Sequence, residues 1–571
     1  MAAMKKKYWP VILLAAVICF HLVNNYIWLS KSTDIVGVDV GNHLYYQLLF
    51  QDKLKEVIFS PGHTLVQKTG DFLLLFRSSM AFPHCLYWPN FVYLISSFFT
   101  LAFGASLITV KTSGLVYLLV LLFSIYAIGK KIGGRGAGLL AALLVSMYPL
   151  IFESSRQYGL DLPLTAIVCL ACLFLLKAEH FTRLKYSALF GLACGAGMLI
   201  KGQFLIFLAA PLAVVLGAYF SADSRYKLTA VVFWNICVFV FLAAMISSLW
   251  WADKIGDALS SLYMHVTSAQ KFVESGTVDR IRSLDYYLYN IKALFFDSLG
   301  VVFGVIFLAS LIFFIRSKAR YRGFILSWLF VPLTLFSLFF VIKHERFLMP
   351  VLPAIALVSA WGTARLSASR VKLITIISLV LFSLAQYYTL SYFTCWNNRS
   401  PVFFFGSSSY GRALYTRKPY YDREKLELID KAAKIVSGAC ADKGGCKAGM
   451  AMLGGHISVY EAMYWMYSFD PRISLRDWLE FYEDFYRELP ELKYIIICSY
   501  RSDGVTWPRG REFLGLAEKN RLVQVKRAEF PPDWENNFKA FIRAEKDFEL
   551  VETLDFSNGM TWYIHKRKEN R

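Results

Sequence analysis

Long apolar runs alternate with short polar connections over the first 393 residues. Runs of roughly 17 to 25 residues, each long enough to cross a hydrocarbon core of about 30 Å as a helix, lie near residues 8–29, 110–128, 136–152, 161–177, 185–200, 203–220, 229–251, 299–315, 323–342, 350–366 and 372–393. The pattern predicts about eleven transmembrane helices, with 89–109 as an extra span or an interfacial helix. After Phe393 the chain turns polar. Helical periodicity at 424–437 and 476–489, with strand-like runs at 494–499 and 561–565, predicts a small α/β domain. The expected fold is therefore an α-helical polytopic membrane protein, residues 1–393, followed by a soluble α/β domain, 394–571, that serves as a lid or docking module. No phosphate-binding glycine motif occurs in that tail.

The connection at 30–109 is too apolar for a plain linker. Its segments 44–59 and 71–82 mix aliphatic and charged residues, as helices lying in the membrane interface do. The first apolar run follows Lys5, Lys6 and Lys7 but is longer than a signal-peptide core, and no small-x-small cleavage site follows it. It reads as a retained anchor.

Composition supports the membrane reading: 56% of the residues are hydrophobic and the formal net charge is +20. The charge is one-sided. With the N-terminus inside, the inner connections hold eighteen Lys and Arg against only Glu179 and Asp223, which gives +16 of the +20. Positive residues stay on the cytoplasmic side, so the basic balance is a topology signal and leaves little for nucleic-acid binding. An odd number of spans puts the C-terminal domain outside. Cys19, Cys169, Cys172, Cys194 and Cys237 fall within spans as small apolar residues, whereas Cys440 and Cys446 lie close together in a glycine-rich outer loop where a disulfide is permitted. No cysteine spacing fits structural zinc.

Charges on the outer edges stand against this background. Asp34, Asp39 and His43 follow the first span; a carboxylate there can take a proton from an acceptor or help hold a divalent ion. Helix capping by Asp39 ahead of residues 44–59 is the structural alternative. The third span exits through Glu153 to Arg156 and Asp161, the fifth ends on Lys201, and the ninth reaches Lys343-His344-Glu345-Arg346. Each could be an interfacial side chain reaching for water. Together they would line one outer cavity, and ionisable residues at such depth mark function by default.

The order of these motifs resembles a known family. An acidic motif in a long first outer loop is followed by Tyr87-Trp88-Pro89-Asn90, Arg156 with Asp161-Leu162-Pro163, and Gly191-Leu192-Ala193 with Leu199-Ile200-Lys201-Gly202. Lys343-His344-Glu345-Arg346-Phe347 with Pro350-Val351-Leu352-Pro353 completes the series. It is similar to the polyprenyl-phosphate-sugar-dependent glycosyltransferases of the GT-C fold, the superfamily of protein O-mannosyltransferases and lipid A aminoarabinose transferases (glycosyltransferase family 39-like), over roughly residues 8–370. The resemblance implies an inverting transferase of the inner (cytoplasmic) membrane. It would take a sugar from a polyprenyl phosphate donor and pass it to a lipid, glycan or protein acceptor on the outer face. It makes Asp39 the acid that activates the acceptor and Asp161 the second acid of the cavity. Lys201, Lys343, His344 and Arg346 would hold the donor phosphate, with Asp34, His43, Arg156 and Glu345 as accessories and a divalent cation as an option near Asp39 and Asp161.

Two departures bear on substrate and metal. Relatives often carry an acidic pair or Asp-Glu before Arg-Tyr in the first loop, where this chain has Asp39-Val40-Gly41-Asn42-His43. Where relatives have Lys-Pro-Pro, this chain has Tyr87-Trp88-Pro89, so the lysine's job falls to another residue, such as His84, or is absent. A transporter or flippase of a lipid-linked or anionic solute is the rival reading; it predicts a two-half repeat with a midplane site, and the sequence shows no such repeat.

Overall fold

The structure is a computed structural model that describes residues 2–33, 35, 38–77, 88–220, 227–252, 254–256, 284–340, 344–393, 419, 421–438, 446–452, 459–477, 492–500, 548–556 and 560–568. The chain forms two compact units, one of residues 1–32 and 50–420, the other of residues 33–49 and 421–571.

The first unit is helical. Trp9–Leu29, Leu107–Gly133, Ala230–Trp251, Glu345–Ala364 and Ser369–Phe393 are long and apolar enough to cross a membrane, and Phe91–Phe103, Arg135–Met147, Phe204–Gly217 and Arg322–Leu338 are shorter apolar helices. Their burial differs with position. Ala230–Trp251 exposes Val231, Phe233, Trp234, Val240 and Phe241, whereas Leu352–Ala364 is buried along nearly its whole length. A helix apolar on every side belongs to a bilayer or to the middle of a bundle, and this unit contains both kinds.

Three expected spans differ in detail from the runs read in the sequence. The run expected at 136–152 breaks at Tyr148, whose backbone is extended (φ −66°, ψ 131°) ahead of Pro149, as the steric clash of a following proline requires. The run expected at 299–315 is the second arm of a pair, Tyr286–Leu299 and Val301–Arg316, bent by 116°. Gly300 sits at the bend with φ +85°, a conformation open to glycine and strained for other residues. The run expected at 350–366 starts earlier, as a 3₁₀ turn Glu345–Val351 that leads into Leu352–Ala364. Residues 89–109 supply the helix Phe91–Phe103. In the first connection, Val38–Phe59 and Leu65–Arg77 are helices. The exposed Phe59, Leu65, Val66 and Leu74 suit an interfacial position.

The second unit contains a five-stranded sheet in the order β2-β1-β3-β5-β4, with β1 Cys446–Met452, β2 Ile473–Asp477, β3 Tyr494–Tyr500, β4 Phe548–Asp555 and β5 Met560–Arg567. β1 is parallel to β2 and β3, and β5 is antiparallel to β3 and β4. Helix Val459–Phe469 makes the crossover from β1 to β2, the connection a parallel pair needs. Helix Arg423–Gly438 is capped by Asp422, whose Oδ1 accepts from the Lys425 backbone N–H at 2.8 Å. It buries Ile429, Ala432, Ala433 and Val436, while Ile496, Trp562 and Ile564 are buried in the sheet. The strands expected at 494–499 and 561–565 are β3 and β5. The helix expected to start at Arg476 does not: that residue lies in β2, where Ile473 and Leu475 alternate inward, and 478–491 fall outside the described residues. Cys440, and with it the expected disulfide, also falls outside.

Candidate functional site

The site is built at three helix ends of the first unit. Asp161 opens the helix Asp161–Lys177, so its carboxylate stands where the helix dipole favours negative charge. Lys201 lies in the turn after Leu184–Met198, its backbone N–H bonded to the Gly197 carbonyl at 3.1 Å. Gly197 is required there, because a Cβ at that position would stand 2.3 Å from the Phe204 ring. Trp251 steadies the same turn by donating its indole N–H to the Met198 carbonyl at 2.9 Å. Arg346 belongs to the 3₁₀ turn Glu345–Val351, which Trp328 holds through an indole N–H to the Pro350 carbonyl at 3.0 Å.

These ends bring three charges together. Lys201 Nζ donates to Asp161 Oδ1 at 2.9 Å, and Arg346 Nε stands 3.7 Å from Asp161 Oδ2. Both cations face the Phe347 ring, at 5.1 Å and 5.6 Å from its centroid, an attraction that holds them beside the carboxylate. The side chains of Asp161, Lys201 and Arg346 keep 13%, 16% and 21% exposure, so the cluster is neither sealed nor free. Beside it, His344 Nδ1 lies 3.2 Å from Glu345 Oε2, which also accepts from the Tyr289 hydroxyl at 3.4 Å. Two fixed cations share one carboxylate, so the trio retains a net positive charge, an arrangement suited to an incoming anion.

Arg156, five residues before Asp161, belongs to a different cluster. It is 2% exposed, donates from Nε to Asn25 Oδ1 at 2.9 Å and from Nη1 to Ser391 Oγ at 2.8 Å, and faces the rings of Trp28, Phe152 and Tyr387 at 4.9 to 5.3 Å. Asn25 in turn donates to Ser155 Oγ at 2.8 Å. These contacts tie the first helix, the 149–156 turn and the end of Ser369–Phe393 together.

Asp39 lies in the first turn of Val38–Phe59, in the second unit. His43 follows one turn later and is buried at 4% exposure; residues four apart share a helix face. Asp34, His84 and Lys343 fall outside the described residues. Among the described residues no group of three or more His, Cys, Asp or Glu side chains is arranged to hold a metal ion. Asp161, already paired with two cations, suits an anion site better than a metal site. Sequence reasoning passed over Phe347 as a partner of the cations, although the residue stands inside the charged motif. It also passed over Tyr289, whose tyrosine-rich stretch carries no signal for Glu345.

Comparison with known proteins bears on this architecture. Residues 88–251 match the family model described as dolichyl-phosphate-mannose-protein mannosyltransferase. Among solved structures, ArnT from Cupriavidus metallidurans bound to undecaprenyl phosphate aligns over 98% of this chain and 98% of its own, with TM-score 0.56 and 12% identity. The chain has the GT-C fold. The apo state of the same protein aligns over 99% of this chain and 98% of its own, with TM-score 0.54 and 12% identity. At that identity the likeness concerns the fold. The chain's own apolar helices, five of them long enough to cross a membrane among the described residues, agree with a multi-pass protein embedded in a membrane. No curated protein sequence matches the chain.

Proposed function

We propose that the protein is an integral membrane glycosyltransferase that moves a sugar from a polyprenyl phosphate donor of the undecaprenyl type to a lipid, glycan or protein acceptor on the outer face of the inner membrane. The observation that carries the reading is the convergence of Lys201 and Arg346 on Asp161 beside Phe347. The fold shared with a protein solved with undecaprenyl phosphate supports it.

In this mechanism Asp39 takes the proton of the acceptor hydroxyl or amine, and the freed electron pair attacks the anomeric carbon. The bond from that carbon to the phosphate oxygen breaks with inversion. The departing phosphate gains negative charge, which Lys201 and Arg346 stabilise, with Lys343 and His344 close to Arg346 in the chain. Asp161 keeps the two cations apart and aimed before the donor arrives. The inner-loop positive charge supports an outward-facing 394–571 segment; protease cleavage there in right-side-out vesicles is the expected result, and protection would reverse the orientation.

The deciding experiment incubates the purified protein in lipid with a panel of polyprenyl-phosphate sugars and measures release of polyprenyl phosphate. Sugar-dependent release that Lys201→Ala abolishes is expected. Passage of an intact donor or solute across the bilayer without release would favour a transporter.

A further inference from the structure

We infer that the C-terminal domain is a positioning device for Asp39, holding the segment that carries it on both sides of the carboxylate. The inference rests on the reading of Asp39 as the base. Residues 33–49, though encoded in the first connection, belong to the same compact unit as residues 421–571, and two contacts within that unit fasten them. Before Asp39, the Thr33 Oγ1 accepts a hydrogen bond from the Asp422 backbone N–H at 3.2 Å. After it, the Tyr45 ring meets the Tyr467 ring edge to face, with centroids 5.7 Å apart and planes at 82°. Thr33 and Tyr45 stand six residues before and six residues after Asp39.

Both anchors are fixed in turn. Asp422 caps helix Arg423–Gly438 through the Lys425 N–H at 2.8 Å. Lys425 Nζ then donates to Glu461 Oε1 at 2.6 Å, with both side chains buried, and Glu461 and Tyr467 share the helix Val459–Phe469. A closed chain of contacts thus runs from Thr33 through Asp422, Lys425, Glu461 and Tyr467 to Tyr45. Asp39 lies in the first turn of its helix, where backbone N–H groups lack helical partners and fraying starts. A tether on each side restrains that turn. The restraint matters because a displacement of about 1 Å at a reacting group costs on the order of 100-fold in rate.

The test uses the full-length protein in lipid nanodiscs with a polyprenyl-phosphate sugar and compares Tyr467→Ala, Tyr467→Phe and Thr33→Val, with Asp39→Asn as reference. Turnover, donor KM and hydrogen exchange over residues 38–45 are measured. Tyr467→Ala is expected to speed exchange in that segment and to lower kcat by roughly 10- to 100-fold at unchanged donor KM. Tyr467→Phe, which keeps the ring, is expected to preserve both. Thr33→Val is expected to act in the same direction as Tyr467→Ala, by several-fold. Unchanged exchange in both Tyr467→Ala and Thr33→Val would overturn the inference. So would faster exchange with unchanged kcat while Asp39→Asn is inactive. Normal turnover by Asp39→Asn would overturn the reading of Asp39 itself, a result the exchange measurement keeps distinct. If Tyr467→Ala fails to fold, Thr33→Val, close in size to the native residue, decides alone.

Discussion

Among the described residues of the membrane unit, Arg156 and Arg346 occupy two places that treat a guanidinium in opposite ways. Arg156 is 2% exposed, its hydrogen bonds go to the neutral Asn25 and Ser391, and three aromatic faces close around it. Arg346 is 21% exposed, stands 3.7 Å from Asp161, and shares that carboxylate with a second cation, Lys201. The first arrangement locks the planar fork in place with side chains from three segments. The second crowds like charges around one acid, which is costly until an anion arrives. Burial alone therefore does not set the two arginines apart in kind; the like-charged neighbour and the partly open carboxylate beside Arg346 do.

The sharpest way to break this contrast is to neutralise one cation at each place. Lys201→Met removes a charge from the Asp161 cluster and is expected to weaken donor binding by about 1.5 to 3 kcal/mol, the range for hydrogen bonds to charged groups, with little change in thermal stability. Calorimetric titration with polyprenyl phosphate reads the difference directly. Unchanged affinity would remove Lys201 from the site. At the other place Arg156→Lys keeps the charge and loses the fork. It is expected to destabilise the fold by about 1 to 3 kcal/mol, read as a lower Tm in detergent, with donor affinity per folded molecule intact. A loss of affinity at native Tm would join the two clusters functionally and end the distinction.

The contrast can be sharpened through the backbone. Gly197→Ala places a methyl 2.3 Å from the Phe204 ring, and the strain of overpacking, about 1 to 3 kcal/mol, falls on the turn that aims Lys201. Weaker donor binding is expected alongside the stability loss. Stability loss with native binding would show that the turn does not transmit strain to the lysine.

A control far from both clusters lies in the C-terminal domain. The Arg472 side chain hydrogen-bonds Asp470 at 2.7 Å and holds its carboxyl below the usual carboxylate range. A depressed carboxyl contributes stability above its unfolded pKa, and that contribution fades as pH falls through the folded value. Since Arg472 is 57% exposed, Asp470→Asn is expected to cost only about 0.2 to 1 kcal/mol at neutral pH, with the difference from wild type shrinking toward pH 3 in melting curves. A pH-independent difference would assign the effect to packing.

Much of the membrane unit was legible because charge inside apolar sequence is expensive and therefore conspicuous. Asp161, Lys201 and Arg346 could each be read at the end of an apolar run, and the structure brings the three together. What the sequence hid was direction. Arg156 and Asp161 are separated by only four residues, yet the intervening turn sends Arg156 toward the first and last helices of the unit. The interruptions at Tyr148 and Gly300 were equally hidden, since hydropathy runs smoothly through a proline step or a left-handed glycine. In the tail, alternation revealed β3 and β5, whereas β2 is too short for its period to be told from a helix start.

The hydrogen bond between Thr33 and Asp422 joins residues 389 positions apart, and that separation has a consequence for biosynthesis. Residues 33–49 leave the ribosome long before their partners exist. At about 5 to 20 residues per second, the wait is on the order of 20 to 80 s. During that interval Tyr45 and Tyr46, buried in the finished protein, have none of the C-terminal domain to pack against. The contacts that fasten the segment are therefore completed only once residues 421–571 have been made, however early its own helix forms.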